Sequence, residues 1–480
     1  MYTRLIYDFS YDKQAGLEYA DMLSTDLRNY EKAETILRRR LLDQHVNDKD
    51  GLLALGDIYM NWGDEDPEKY DDAVKTYSRL IELYGENNTY LLRMMRYFIR
   101  TDNLAEVLRL KEHFSPRFSK VGASDLTELS GYLLEKRYNP KPLDSETLRM
   151  KIDDVRKLLE KAVQADKTMP EAYYNLGRFF IYNNRQDGAI ENLTEAIKRF
   201  KTAAPMTTRR TIQYVDSMRL LGEQLVTQKK YLDAQTLYAD ALTVYRDYTA
   251  FKPLPPNQNI GKLYADYGDI DYFISYNFES ALDSYQHAVK ELYNTPSVQY
   301  RIGYIQYQQE NYEQAIEAMS RAYAEKPRDR HLLYGFGNTF FKRGDYFAAL
   351  SAYEQLFSLL NAQRSRKDHI LSSVHPDDAA FIEQYMQTAN NLGATLNRLA
   401  ERTGDSQKNG RSLALFAEAT RAWDALTRNP QTMIRAKSVG LAYLNIQNML
   451  NSKSPYDSEI YTDIPMILEN ETALEQNETK

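Results

Sequence analysis

The sequence predicts an all-α chain of repeated helical hairpins, and three observations carry that reading. Within residues 297–327, "SVQYRIGYIQYQQENYEQAIEAMSRAYAEKP", apolar residues recur at intervals of three and four, the spacing of one helix face. Small and aromatic residues then return at a fixed distance. Gly303 and Gly337 lie 34 positions apart, as do Tyr312 and Tyr346, Ala315 and Ala349, and Met319 and Tyr353, while few other letters agree. Finally, 480 residues exceed one ordinary domain but suit an array of small units.

Each element of the unit has a physical reason. Asn311 interrupts the first helical pattern, a second runs through Tyr312, Ala315, Ile316, Met319 and Ala322, and Pro327 stops it. Gly303, lacking a Cβ, lets the first helix sit tightly on the second, and Ala315 does the same from the other side. Tyr312, Met319 and Ala322 fill the layer between hairpins. Only contact positions need to be kept.

This pattern resembles the tetratricopeptide repeat, whose signature is a Leu-Gly pair, a Tyr, then A-x3-F and a terminal Pro. Ile302-Gly303, Ala315, Met319, Ala322 and Pro327 follow that order, with Gln306 where the family prefers Tyr. Phe336-Gly337, Phe340, Ala349 and Tyr353 make the next unit, with Leu356 in place of the small residue. Leu176-Gly177, Phe180, Ala189, Leu193 and Ala196 make another, and Leu221-Gly222, Tyr231, Ala234, Tyr238 and Ala241 a fourth. Leu55-Gly56, Tyr59, Ala73 and Tyr77 form a unit with extra turn residues around Trp62. Ile260-Gly261, Tyr264, Ala281, Tyr285 and Ala288 form one with a longer insertion. Ala20, Tyr30, Ala33 and Leu37 read as an opening unit, and degenerate units fit 88–114, 124–166 and 378–430. Gly440 and Tyr443 start a hairpin that is not completed, which suits a terminal capping helix. The resemblance implies a right-handed superhelical solenoid of about ten hairpins.

Breaks in the pattern divide the chain into blocks at 1–138, 139–248, 249–360 and 361–451, followed by a tail. "NPKPLDSE" at 139–146 is a turn-rich insertion. "TAFKPLPPNQ" at 249–258 is a polyproline-like connector, read as a bend between blocks or, alternatively, as an SH3-type ligand. "NAQRSRKDHILSSVHPDD" at 361–378 separates the best repeats from the last ones. Residues 452–480 are polar and are expected to be mostly disordered.

Composition narrows the function. The chain is 43% hydrophobic and 27% charged with net charge −7, which offers no broad basic footprint for nucleic acid. It has no cysteine, so disulfides, thiolate metal sites and Cys nucleophiles are excluded, and either redox compartment suits it. No stretch reaches the ~20 apolar residues of a membrane span, and the start lacks the pattern of a signal peptide. Residue 1 is compatible with a fragment start, which leaves the compartment, periplasmic or cytoplasmic, undecided. No phosphate loop, nucleophile elbow or zinc motif occurs. His369 and His375 lack metal-ligand spacing, "DEDPE" sits in a turn where a solvated surface is expected, and "RRRLL" at 38–42 reads as an exposed helix face. No enzyme, metal or cofactor is predicted.

What remains is a surface. In the family it resembles, first helices of successive hairpins line a concave groove that binds peptides or extended segments. Here those helices carry Tyr174, Arg178 and Tyr182, then Tyr300, Tyr304 and Gln308, then Tyr334, Asn338 and Lys342. The chain holds 39 Tyr against 17 Phe and 2 Trp, an excess that favours amphipathic, wet surface. The family's charged clamp for peptide carboxylates is matched only at Asn338 and Arg301, so acidic chaperone tails are not expected ligands. The implied function is a protein–protein interaction scaffold within a larger complex, self-association included, with a peptide-binding sensor as the alternative. Style and composition also resemble tetratricopeptide proteins of the spirochaete periplasmic flagellar collar.

Overall fold

The computed structural model describes residues 13–43, 45–116, 121–138, 151–364, 378–428, 430–431, 440–451 and 458–469. The insertion at 139–146, His369 and His375 lie outside them. Among the described residues the protein is all-α, as its periodicity predicts, with 21 helices, twenty of them in successive hairpins.

The hairpins are α1 (Lys13–Thr25) with α2 (Tyr30–Leu37), α3 (Lys49–Gly63) with α4 (Lys69–Tyr84), and α5 (Asn88–Arg100) with α6 (Leu104–Phe114). Next come α7 (Ala123–Tyr138) with α8 (Ile152–Ala165), α9 (Pro170–Tyr182) with α10 (Gln186–Phe200), and α11 (Thr208–Thr227) with α12 (Tyr231–Thr249). The last four are α13 (Gln258–Phe273) with α14 (Phe278–Lys290), α15 (Pro296–Gln308) with α16 (Tyr312–Glu325), α17 (Arg330–Arg343) with α18 (Tyr346–Arg364), and α19 (Ala379–Thr403) with α20 (Ser406–Thr427). A single helix α21 (Leu441–Asn451) follows. The chain forms two compact units, Met1–Ile270 and Asp271–Lys480.

In six of the hairpins the second helix presses an aromatic or aliphatic side chain onto a glycine of the first, at Gly56, Gly177, Gly222, Gly303, Gly337 and Gly393. A Cβ on Gly56 would lie 2.3 Å from Tyr77, one on Gly222 2.1 Å from Tyr238, and one on Gly337 2.3 Å from Tyr353. Gly177 meets Leu193 and Gly303 meets Met319 in the same way, at 2.8 and 2.7 Å. No larger residue fits without moving a buried ring or chain. Gly261 is buried, and Ala189, Ala234, Ala281, Ala315 and Ala349 are wholly so, whereas Pro327 is exposed just past the end of α16.

Many hairpin turns share one backbone device. The residue two positions before the second helix has positive φ at Arg28, Asp102, Asn184, Lys229, Tyr276, Glu310, Gly344 and Gly404. That single left-handed residue reverses the chain, and a following Asn often caps the helix: Asn29, Asn103 and Asn277 each accept from a backbone N–H of the first turn. "RRRLL" is not a continuous exposed helix face but a π-helical turn, Arg38–Leu42, in which Leu41 and Leu42 are buried.

In the first unit, hairpin one meets the connector after α12. The side chain of Glu65, in the "DEDPE" turn, is buried rather than solvated. It accepts from Arg28 Nε at 2.7 Å, the Tyr30 hydroxyl at 2.8 Å and the Thr208 hydroxyl at 2.9 Å. Arg28 also donates to the Lys252 carbonyl at 2.7 Å, and Lys252 Nζ returns a bond to the Arg28 carbonyl at 3.0 Å. The connector is therefore a latch within this unit, because its carbonyls satisfy an arginine that has left water.

Candidate functional site

In the second unit an extended segment, residues 458–469, runs along helices α15, α17 and α19. Within the tail expected to be mostly disordered, residues 458–469 are packed: Ser458 and Leu468 are fully buried, and Ile460, Tyr461 and Ile464 nearly so, while 452–457 and 470–480 lie outside the described residues. Apolar side chains at 460, 464 and 468 supply the driving force for leaving water.

The groove grips the segment mainly by its backbone. Hydroxyls of Tyr272, Tyr300 and Tyr307 donate to the carbonyls of Met466, Pro465 and Thr462 at 2.8, 2.7 and 2.8 Å. His331 Nδ1 lies 3.1 Å from the Ile467 carbonyl, a contact that requires the proton on Nδ1. Two asparagines behave as the edge of a strand. Asn391 donates to the Tyr461 carbonyl at 2.9 Å and accepts its N–H at 2.8 Å. Asn445 does the same to Glu459, at 3.0 and 3.1 Å. Residues 459 and 461 are two apart, so their polar groups point the same way along an extended chain. At the far end Asp329 accepts the Glu469 N–H at 3.0 Å, and Arg330 forms an ion pair with the Glu469 carboxylate.

The groove's own polar atoms are held in place from behind. Asn338 donates to the Tyr461 carbonyl at 2.9 Å, while its Oδ1 accepts from Tyr353 at 2.5 Å and from Asn391 at 3.0 Å. Tyr353 is the ring that packs on Gly337, so the hairpin contact also positions the binding amide. Burial pushes the Tyr272, Tyr307, Tyr334 and Tyr353 phenols far up, and that of Tyr461 to about 12. These groups remain neutral hydrogen-bond donors at any physiological pH.

Of the groove residues expected from sequence, Tyr300, Tyr334 and Asn338 converge on this segment. They are buried, not exposed as the groove reading required, because the chain's own residues cover them. Tyr304 is buried against Tyr272 and Phe278, at 5.6 and 5.9 Å between centroids. Gln308 and Lys342 are exposed. Arg301 stacks over Phe273 at 5.0 Å. Sequence reasoning missed Tyr272, Tyr307, His331, Asn390, Asn391 and Asn445; the doubled asparagine before Leu392-Gly393 on a first helix was the available signal.

The first unit holds the remaining three. Its first helices surround a cavity of about 780 Å³ lined by Tyr174 and Arg178, with Arg100, Glu128 and Arg209 among its charged groups. Tyr174 is buried and donates to Asp216 at 2.6 Å. Arg178 pairs with Glu135 and lies over the Tyr174 ring at 5.4 Å. Tyr182 stacks on Tyr138, 4.7 Å between centroids. Arg100 bridges Asp64 and Glu128, both at 3.0 Å. Burial opposes ionisation of Glu128, but Arg100, Arg209 and Arg96 hold its carboxyl well below the usual range. Acids and bases here largely satisfy one another.

Residues 276–330 match the tetratricopeptide repeat family, and residues 170–201 match it independently. This is a tetratricopeptide-repeat protein. No curated protein sequence matches the chain. Among solved structures, a human IFIT1 dimer with PPP-AAAA is similar at 14% identity over 73% of each chain, TM-score 0.43. The apo form of RapI is similar at 12% identity over 77% of this chain and 98% of that one, also at 0.43. YrrB, described as a tetratricopeptide protein with an unusual peptide-binding site, matches at 16% identity over 41% of this chain and 91% of its own, TM-score 0.25. Among the described residues of this tetratricopeptide-repeat chain no helix is long and apolar enough to cross a membrane, and no cluster of His, Asp or Glu could hold a metal ion.

Proposed function

We propose that this protein holds other proteins, and that its second unit does so by receiving an extended segment along α15, α17 and α19. The observation that carries the reading is the backbone grip on residues 458–469. A groove whose phenols and amides address successive carbonyls recognises a conformation more than a sequence, as a scaffold's binding surface requires. The role is non-enzymatic. The groove's phenols and amides, with His331, Asp329 and Arg330, are all engaged in hydrogen bonds to the segment, which suits a binding surface. Membership of a larger assembly is part of this proposal; the likeness to flagellar collar proteins rests on composition alone and adds nothing to it.

The test is a triple variant, Tyr272→Phe, Tyr300→Phe and Tyr307→Phe, which deletes three hydroxyls and keeps every ring, compared with its parent in a chain whose own segment is unseated by Ile464→Asp and Leu468→Asp. Each lost hydrogen bond costs about 0.5–1.5 kcal/mol, so affinity for the principal partner co-purified from the native cell should fall about thirtyfold. Glu313→Ala and Glu317→Ala, exposed on α16, should leave it unchanged. Undiminished affinity in the triple variant, with folding intact, would place partner binding elsewhere.

A further inference from the structure

We infer that residues 458–469 are a resident ligand of the second unit's groove, one that an incoming segment must displace. The inference rests on the reading of that groove as a binding surface. It adds that the surface is already occupied, and by what chemistry.

Three observations support displacement over permanent structure. First, the segment belongs to no hairpin: α15, α17 and α19 each pair with their own second helix, so their backbone bonds do not depend on it. Second, the groove floor is polar. The hydroxyls of Tyr272, Tyr300 and Tyr307 and the amides of Asn338, Asn390, Asn391 and Asn445 meet the segment's backbone, and all can bond to water when it leaves. Third, the contacts are generic along the backbone and selective at few points. Ile460, Ile464 and Leu468 are buried at four-residue intervals, and Glu469 pairs with Arg330.

The ligand class follows from that pattern. It is an extended protein segment with aliphatic side chains at four-residue spacing and an acidic residue beside the last of them. Pro465 shows that a residue without an N–H is accepted where only a carbonyl is read. The segment carries Glu459, Asp463 and Glu469 and no Lys or Arg, so a basic segment of the same spacing should compete poorly.

The probe is a fluorescent synthetic peptide of residues 458–469, titrated into the full-length chain and into full-length Ile464→Asp, Leu468→Asp. The two aspartates place charge where buried aliphatics sit and should unseat the resident segment without touching the groove. The variant should bind the peptide at least tenfold more tightly than the wild type, and adding Asn391→Ala should abolish that gain. Equal affinity for both proteins would overturn displacement while leaving the groove reading intact. A folded variant that does not bind the peptide would overturn both. Cooperative unfolding of the second unit in the variant would show that the segment is core, and would overturn the inference alone.

Discussion

Gly337→Leu should cost the second unit about 3 kcal/mol or more and lower its melting temperature by roughly 10 °C, the largest effect expected at any single contact there. A Cβ at Gly337 would stand 2.3–2.6 Å from three atoms of the Tyr353 ring. That ring is wholly buried and cannot swing aside: Tyr334 packs edge-on at 6.3 Å, and the hydroxyl is tied to Asn338 at 2.5 Å. The backbones must part instead, and the Tyr353–Asn338 bond that positions the groove amide goes with them. Two residues away, Gly335→Ala is the control. Its Cβ would meet Met319 at 3.4 Å, an ordinary contact, and alanine is the better helix former, so stability should hold or rise by up to about 1 kcal/mol. Thermal melts of the two variants check the pair, and hydrogen exchange should confine the damage to α17, α18 and their neighbours.

Glu65→Gln should destabilise the first unit by about 3–5 kcal/mol, since it removes one partner of a buried ion pair and leaves the other unmatched. The side chains of Arg28 and Glu65 are 6% and 7% exposed, which is why solvent cannot screen the loss. Burial alone would raise the Glu65 pKa, but bonds from Arg28, Tyr30 and Thr208 outweigh it and lower it below the ordinary value. The sign of the pH effect follows. A carboxyl with a lowered folded pKa contributes stability in full above its unfolded pKa, near 4.5, and that contribution is lost as pH falls through the folded value. The gap between wild type and Glu65→Gln should therefore be widest near neutral pH and narrow below pH ~4. A gap independent of pH would mean that the charge is not what Arg28 needs.

The repeats were legible because close helix contact admits few residues. Gly222 under Tyr238 and Gly337 under Tyr353 must recur wherever the hairpin recurs, so spacing alone exposes them. The groove was legible by position only. Tyr300, Tyr334 and Asn338 face it because they sit on first helices, yet their burial depends on carbonyls 123 to 165 positions later, which no local pattern reports. The covering segment "SEIYTDIPMIL" hid in a polar tail because an extended chain held by its backbone needs no periodicity beyond scattered aliphatics. Glu65 was misplaced for a related reason. An acid in a Pro-containing turn looks solvated until Arg28 and Thr208, 143 residues apart from Glu65 in the latter case, close over it.

The central claim is that the second unit grips an extended segment by its backbone, and the amides of Glu459, Tyr461 and Glu469 report on it most directly. Each donates to a groove side chain, at 3.1, 2.8 and 3.0 Å. Hydrogen exchange on the full-length chain at neutral pH should find all three protected, with protection at Tyr461 and Glu459 lost when Asn391→Ala and Asn445→Ala are combined. Exchange at the rate of a free peptide in the unmodified protein would contradict the account, because the segment would then not occupy the groove.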